Sequence, residues 1–63
     1  MNWNYVIVYD GMFYTKGGWG VTFTPNINDA MIFDTMQKAY ERKKEFLKDF
    51  PSAKIMKTRD FLA

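Results

Sequence analysis

The fold of this chain is decided by one stretch near its start, Trp3-Asn4-Tyr5-Val6-Ile7-Val8-Tyr9-Asp10-Gly11-Met12-Phe13-Tyr14-Thr15. The β-branched and aromatic residues on both sides of Asp10-Gly11 predict two antiparallel strands. Asp-Gly suits a two-residue type I′ turn, because both of its central residues need a positive φ angle. Such a turn fixes the register, so Tyr9 is expected to pair with Met12 and Val8 with Phe13.

This register sorts the hairpin residues into two apolar faces, since directly paired residues share a face. We expect Val6, Val8 and Phe13, which are compact or rigid, to pack against a helix. Tyrosine and tryptophan combine an apolar ring with a polar group and are favoured at interfaces, so the other face is predicted to bind a partner. That predicted partner-binding face consists of Trp3, Tyr5, Ile7, Tyr9, Met12 and Tyr14. The alternative is that its tyrosines are ordinary outer-face strand residues, chosen for their β-propensity.

The remaining pattern predicts a single small α+β domain over residues 1–63, with the element order βββ(β)αβ and one helix laid across one antiparallel sheet. A looser turn at Lys16-Gly17-Gly18 leads into a third strand over residues 19–24, which Pro25 ends. Residues 26–30 indicate a helical turn or an Asx turn. Met31-Ile32-Phe33 is either a fourth strand or a packed connector. Residues 52–58 are predicted to form the last strand, with Ile55 inward.

A helix is predicted from about residue 35 to residue 49. Asp34-Thr35 supplies an N-cap, Asp34 and Gln37 have the spacing of a capping box, and Pro51 ends the helix. Apolar or long-stemmed residues recur at helical spacing and predict one inward face. They are Met36, Ala39, Tyr40, Lys43, Phe46, Leu47 and Phe50.

Composition argues against catalysis, metal binding and cofactor binding. The chain has no histidine and no cysteine, so it offers neither a nucleophile–imidazole pair nor a Cys/His zinc site. Glu41 and Glu45 fit a solvated helix face better than a carboxylate pair. Gly17-Gly18-Trp19-Gly20 lacks the Gly-Lys-Ser/Thr ending of a phosphate loop and fits a hairpin turn. We therefore predict no catalytic, metal or cofactor site.

Charge and hydropathy patterns bear on partners and location. Residues 1–34 carry one lysine against three aspartates, whereas residues 35–63 carry eight basic and four acidic side chains. This asymmetry permits an acidic partner for the second half. The first residues of the sequence show no signal-peptide pattern, and the longest apolar run, residues 5–9, is far short of a membrane span. We expect a cytoplasmic protein without membrane contact.

Several short pieces of the sequence together resemble a known group of proteins. They include Asp10-Gly11, Val21-Thr22, Ala39-Tyr40 and, best matched, Asn28-Asp29-Ala30-Met31-Ile32-Phe33-Asp34-Thr35. Over roughly residues 5–40 the chain resembles small uncharacterised proteins of bacteriophages and prophages, in which a short hairpin precedes a helix. The resemblance implies an intracellular accessory protein that binds a host or phage protein and modulates or inhibits it.

Two kinds of function remain open at this level. The first is protein–protein interaction through the predicted partner-binding face, with a symmetric homodimer as the leading case. The second is single-stranded nucleic-acid binding, in which Trp3, Tyr5, Tyr9 and Tyr14 stack on bases. Phosphates would then meet the basic side chains Lys16, Lys54, Lys57 and Arg59. The interleaved acidic residues and the net charge of +2 favour the protein partner.

Overall fold

The computed structural model of the chain describes residues 4–16 and 20–61. Its regular elements are β1 (Tyr5–Tyr9), β2 (Met12–Thr15), β3 (Thr22–Thr24), α1 (Met36–Phe46) and β4 (Lys54–Lys57), with 3-10 turns at Ile27–Asp29 and Thr58–Asp60. The strands form one antiparallel sheet in the order β3-β2-β1-β4, and α1 packs on one side of it. The predicted α+β architecture is confirmed.

The first turn has the predicted geometry. Asp10 and Gly11 both have positive φ angles, 50° and 74°, as a type I′ turn requires. Tyr9 pairs with Met12 and Val8 with Phe13. The predicted register is therefore correct. The looser turn after Lys16 and the start of the predicted third strand lie at residues 17–19, outside the described residues.

Beyond these two pairs, the segment at residues 31–33 forms hydrogen bonds with the backbones of both hairpin strands. Met31 N donates to Tyr14 O over 2.9 Å, and Phe33 exchanges hydrogen bonds of 2.8 and 2.9 Å with Tyr5. Met31–Phe33 is thus a packed connector with a single β-bridge, Tyr5 to Phe33. Before it, Asn26 Oδ1 accepts from Asn28 N over 2.9 Å and caps the first 3-10 turn.

Helix α1 begins where its capping chemistry predicts and ends earlier than expected. The N-cap is Thr35, whose Oγ1 accepts from Lys38 N over 3.2 Å, an interaction typically worth about 1 kcal/mol. Because the N-cap is Thr35 and not Asp34, the residue three positions after the cap is Lys38 and not Gln37. The predicted Asp34–Gln37 capping box is therefore wrong. The helix ends at Phe46, and successive turns then bring Phe50 back to the core.

The helix packs on the opposite sheet face from the one predicted. Ile7 is fully buried and Tyr14 is 6% exposed, and both belong to one cluster with Ala39 of α1 and with Leu47, the C-cap of α1. Tyr5 and Tyr9 are half-buried against that cluster. The tyrosine face is therefore the core under the helix. The prediction that Val6, Val8 and Phe13 pack against α1 is wrong.

The edge strands explain the reversal. Pairing places Phe23 beside Tyr14 and Ile55 beside Ile7, so both outer strands add apolar area to the tyrosine face. The other face receives the polar side chains Thr22, Thr24 and Lys54, which pair with Thr15, Phe13 and Val8, beside the apolar Met56, which pairs with Val6. Counted over four strands, the tyrosine face buries more apolar surface, and the helix covers it.

An aromatic cluster fills one end of this core. The rings of Tyr9, Phe23 and Phe50 lie with centroids 5.0 to 5.3 Å apart, and Tyr14 lies 6.4 Å from Phe23. Edge and tilted geometries of this kind add about 0.5–1.5 kcal/mol per pair beyond area burial. The high aromatic content of the sequence is thus used for internal packing.

The second sheet face is covered in part by the chain itself. Val6 is fully buried and Phe13 is 7% exposed. The ring of Phe61, which follows the second 3-10 turn, packs edge-on against Phe13 with centroids 4.9 Å apart. Thr58 N donates to Asn4 O over 2.9 Å and holds this turn against the sheet. The chain itself therefore covers part of the second apolar face, and the fold does not require a partner there.

Candidate functional site

The residues predicted to bind a partner do not form an open surface. Ile7 and Tyr14 are buried, and Tyr5, Tyr9 and Met12 are half-buried. Trp3 lies outside the described residues. Because α1 occupies this face, the predicted aromatic surface for a homodimer is not exposed. The same burial removes the stacking platform on which the nucleic-acid alternative depended.

Apart from Phe61, which packs on Phe13, the large exposed apolar side chains of the described residues lie on or beside α1. Ile32 is 45% exposed, Met36 52%, Tyr40 56% and Phe46 47%. The sequence predicted Met36, Tyr40 and Phe46 to be inward, and this is wrong. At about 100° per residue, the buried Ala39 and Leu47 are about 80° apart, and Tyr40 and Phe46 lie just outside them on either side of the buried stripe. Met36 and Tyr40 therefore lie along one side of the helix and Phe46 along the other.

Two hollows meet at Phe46. One, with a volume of about 480 Å³, lies between α1 and the segment at residues 31–34; we call it the groove. It is lined by Met31, Ile32, Phe33, Asp34, Lys38, Glu41, Arg42, Glu45 and Phe46. The other, of about 490 Å³, is lined by Tyr14, Lys16, Gly20, Val21 and the shared residues Arg42, Glu45 and Phe46. Phe46 therefore presents apolar surface to both hollows.

The Phe46 ring is held in place by its neighbour one turn earlier. The guanidinium carbon of Arg42 lies 4.7 Å from the ring centroid, a cation–π contact. At an exposed site such a contact is worth about 0.5–1 kcal/mol. Arg42 is half-buried, so its aliphatic stem adds apolar surface while its charged end stays in water. The pair gives the groove an ordered aromatic wall.

An ion pair closes the end of the groove nearest the start of α1. Lys38 Nζ lies 3.0 Å from Asp34 Oδ1 and donates to Asp34 Oδ2 over 3.3 Å. This hydrogen bond and the charge of Lys38 hold the pKa of Asp34 below its usual value. Both side chains are about two-thirds exposed, so the pair contributes little stability and stays accessible to a partner. With Glu41, Arg42 and Glu45, the charges along the groove nearly balance.

The described part of the chain offers no metal site or membrane span. Within residues 4–16 and 20–61, no three acidic side chains come close enough to hold a metal ion. Among the helical segments described there, none has the length and apolar character needed to cross a bilayer. These findings concern the described residues alone.

Comparison with protein-family models, with curated proteins and with solved structures finds no match for this chain. The resemblance to small phage proteins therefore stays a prediction, and the groove has to be interpreted from its own chemistry. Sequence reasoning missed the groove because Phe46 fitted an inward helical stripe. The available signal was the eight-residue interval from Ala39 to Leu47, which centres the buried stripe away from Phe46 and Tyr40.

Proposed function

We propose that this chain is a small non-enzymatic binding protein that engages a protein partner through the groove. Ile32 and Phe46 are its apolar anchors, and Arg42 is its polar contact. The observation that supports this most strongly is that both anchors remain nearly half-exposed on the same hollow. Exposed aromatic and arginine side chains beside a hollow are typical of the residues that dominate protein–protein binding energy.

The chemistry of the groove favours a protein segment over a small charged ligand. Three carboxylates and two cations line the groove, so its net charge is small and selects strongly for neither an anion nor a cation. Its floor is apolar, with Met31 half-buried and Phe33 buried. An apolar or aromatic side chain of a partner would bury against Ile32 and Phe46, while polar backbone groups meet Arg42 and Glu45 at the rim.

The regulatory role implied by the phage resemblance fits this proposal. A domain of 63 residues that acts by occupying a surface of another protein needs no catalytic group. Modulation or inhibition of that partner is the proposed consequence of binding. Phage origin and a cytoplasmic location are part of the proposal and are not needed for the groove to bind.

The test compares affinity capture by the wild-type chain with capture by Phe46→Ser and Ile32→Ser. Serine has a helix propensity close to that of phenylalanine, so Phe46→Ser removes the anchor with little effect on α1. Tyr40→Ser is the matched control for a partner held by the groove, because Tyr40 is at least as exposed as Phe46 and does not line the groove. We expect one protein captured at a fixed stoichiometry by the wild type and the control, and lost from both groove variants.

The purified partner then allows affinity to be measured. Loss of a central anchor is expected to weaken binding by about tenfold or more, which corresponds to about 1.4 kcal/mol. The proposal is wrong if both groove variants bind the partner as tightly as the wild type does. It is also wrong if nuclease treatment of the lysate abolishes the capture, since nucleic acid would then carry the interaction.

A further inference from the structure

The side of α1 that faces away from the groove has a different chemistry. It carries Met36 and Tyr40, both more than half-exposed, followed by Lys43 and Lys44 in the last turn of the helix. Helical spacing places Met36, Tyr40 and Lys44 in one row, because successive members are four residues apart. We call this row with Lys43 the cationic side.

The sheet extends the cationic side at its edge. The Phe46 side of α1 lies over β2, since Arg42 and Phe46 border the same hollow as Tyr14. The Tyr40 side therefore faces the other sheet edge, where β4 lies. Lys57 of β4 pairs with Tyr5 and so points to the helix side of the sheet, near the start of α1. It adds a third cation on the helix side of the sheet, at the β4 edge.

These lysines are not neutralised by the fold. Among the described residues, no carboxylate oxygen lies within 4.0 Å of Lys43, Lys44 or Lys57. Lys38, across the helix, forms an ion pair with Asp34. Cations in the last turn stabilise a helix through its dipole. That accounts for Lys43 and Lys44, but it accounts neither for Lys57 on the sheet nor for two large exposed apolar side chains next to them.

We propose that the cationic side is a second binding site, which takes an acidic amphipathic protein segment. Its carboxylates meet Lys43, Lys44 and Lys57, and its apolar side chains cover Met36 and Tyr40. Charge complementarity is the argument for this occupant. The second half of the chain carries eight basic against four acidic side chains; the cationic side holds two of those cations, Lys43 and Lys44, and the β4 edge of the sheet adds Lys57.

Nucleic acid fits the cationic side less well. One exposed tyrosine can stack one base, whereas single-strand binders use a series of aromatic platforms. Glu41 and Glu45 border Lys44 along the outer ridge of α1 and would repel a continuous phosphate backbone. Methionine adds apolar contact that a phosphate backbone does not use. Discrete carboxylates on a partner helix, spaced between apolar residues, avoid both conflicts.

The test titrates the ¹⁵N-labelled chain with two helical peptides that share the same leucine and phenylalanine positions. One carries glutamate and the other lysine at its remaining positions. Oligothymidylate and vesicles of phosphatidylcholine with phosphatidylserine are the competing probes. We expect the acidic peptide alone to shift the backbone amide signals of Met36, Tyr40, Lys43 and Lys44, with binding that weakens as salt is raised.

Variants separate this site from the groove. Tyr40→Ser and Lys44→Gln are each expected to weaken acidic-peptide binding by about three- to tenfold. Lys38→Gln, on the other side of the helix, and Phe46→Ser, in the groove, should leave it unchanged. Thermal unfolding of each variant confirms that the fold is retained. The proposal is overturned if the acidic peptide shifts no signals in this row, or if oligothymidylate or the vesicles shift them in its place. Equal weakening by Lys38→Gln and Lys44→Gln would overturn it as well.

Discussion

The neighbouring residues Ile7 and Val8 give the sharpest test of which sheet face the helix covers. Ile7 is fully buried under α1, whereas Val8 is half-buried on the other face. Truncation of a fully buried isoleucine to alanine costs about 2–5 kcal/mol, so Ile7→Ala should cost about 3 kcal/mol. Truncation of a half-buried valine to alanine removes two methyl groups that are half-buried, about equivalent to the loss of one fully buried CH2 group. Val8→Ala should therefore cost about 1 kcal/mol.

These costs are large for a chain of this length. At about 0.05–0.15 kcal/mol per residue, 63 residues correspond to a free energy of unfolding of about 3–9 kcal/mol. Urea unfolding followed by far-ultraviolet circular dichroism measures both variants against the wild type, and a constant m-value shows that the midpoints can be compared. If Val8→Ala costs as much as Ile7→Ala or more, α1 does not cover the tyrosine face and the reasoning fails.

Three further predictions concern local features. Gly11→Ala should lower the free energy of unfolding by about 1 kcal/mol in urea titrations, because the φ angle of 74° is strained for any residue with a Cβ; an unchanged midpoint would contradict the type I′ turn. Phe61→Ala should lower the free energy of unfolding by about 1–2 kcal/mol and raise dye binding to the newly exposed Phe13 face. If neither changes, the contact between the two rings is absent in solution. The pKa of Asp34 is lowered in the folded chain by Lys38. The pair therefore stabilises the fold above the pKa of the unfolded aspartate, about 4, and this small contribution disappears as pH falls through the folded value. Lys38→Gln should bring the Asp34 pKa, followed by carboxyl NMR shifts, back toward its usual value.

Local chemistry accounts for the parts of the fold that the sequence predicted well. Asp10-Gly11 specifies one turn type with little competition, so the register and the first hairpin follow from it. Thr35 marks the start of the helix because a cap acts on adjacent residues only, whereas the helix ends at Phe46, before the predicted stop at Pro51. Local chemistry does not decide between a strand and a connector at Met31–Phe33, since its single bridge to Tyr5 depends on where β1 and β2 separate.

The choice of sheet face could not be made from the hairpin alone. Both faces of residues 5–15 are apolar, and nothing in that stretch says which one the helix takes. The deciding information lies in the alternation of Thr22-Phe23-Thr24 and in the pairing of Ile55 with Ile7. Pairing of β4 with β1 brings together residues about fifty positions apart. Tertiary pairing therefore assigns the tyrosines to the core, against the expectation that tyrosine prefers a wet interface.

The candidate site consists of residues at the edge of the apolar stripe on α1, where helical spacing did not predict exposure. Helical spacing correctly marked Ala39 and Leu47 as inward, but it also included Tyr40 and Phe46 at the margins of the stripe and Met36 at the first residue of the helix. A helix of 11 residues on a narrow sheet buries only the centre of such a stripe. Marginal apolar residues then become the exposed ones, which is why the surfaces proposed for binding lie on α1 and not on the sheet.

The central claim is that α1 covers the tyrosine face and leaves its own two sides free to bind. Nuclear Overhauser contacts in the isotope-labelled chain test it most directly. We expect contacts from the Ile7 methyl groups to the methyl groups of Ala39 or Leu47, and from the Tyr14 ring to the same cluster. Contacts from the methyl groups of Val8 to Ala39 or Leu47, with none from Ile7, would contradict it.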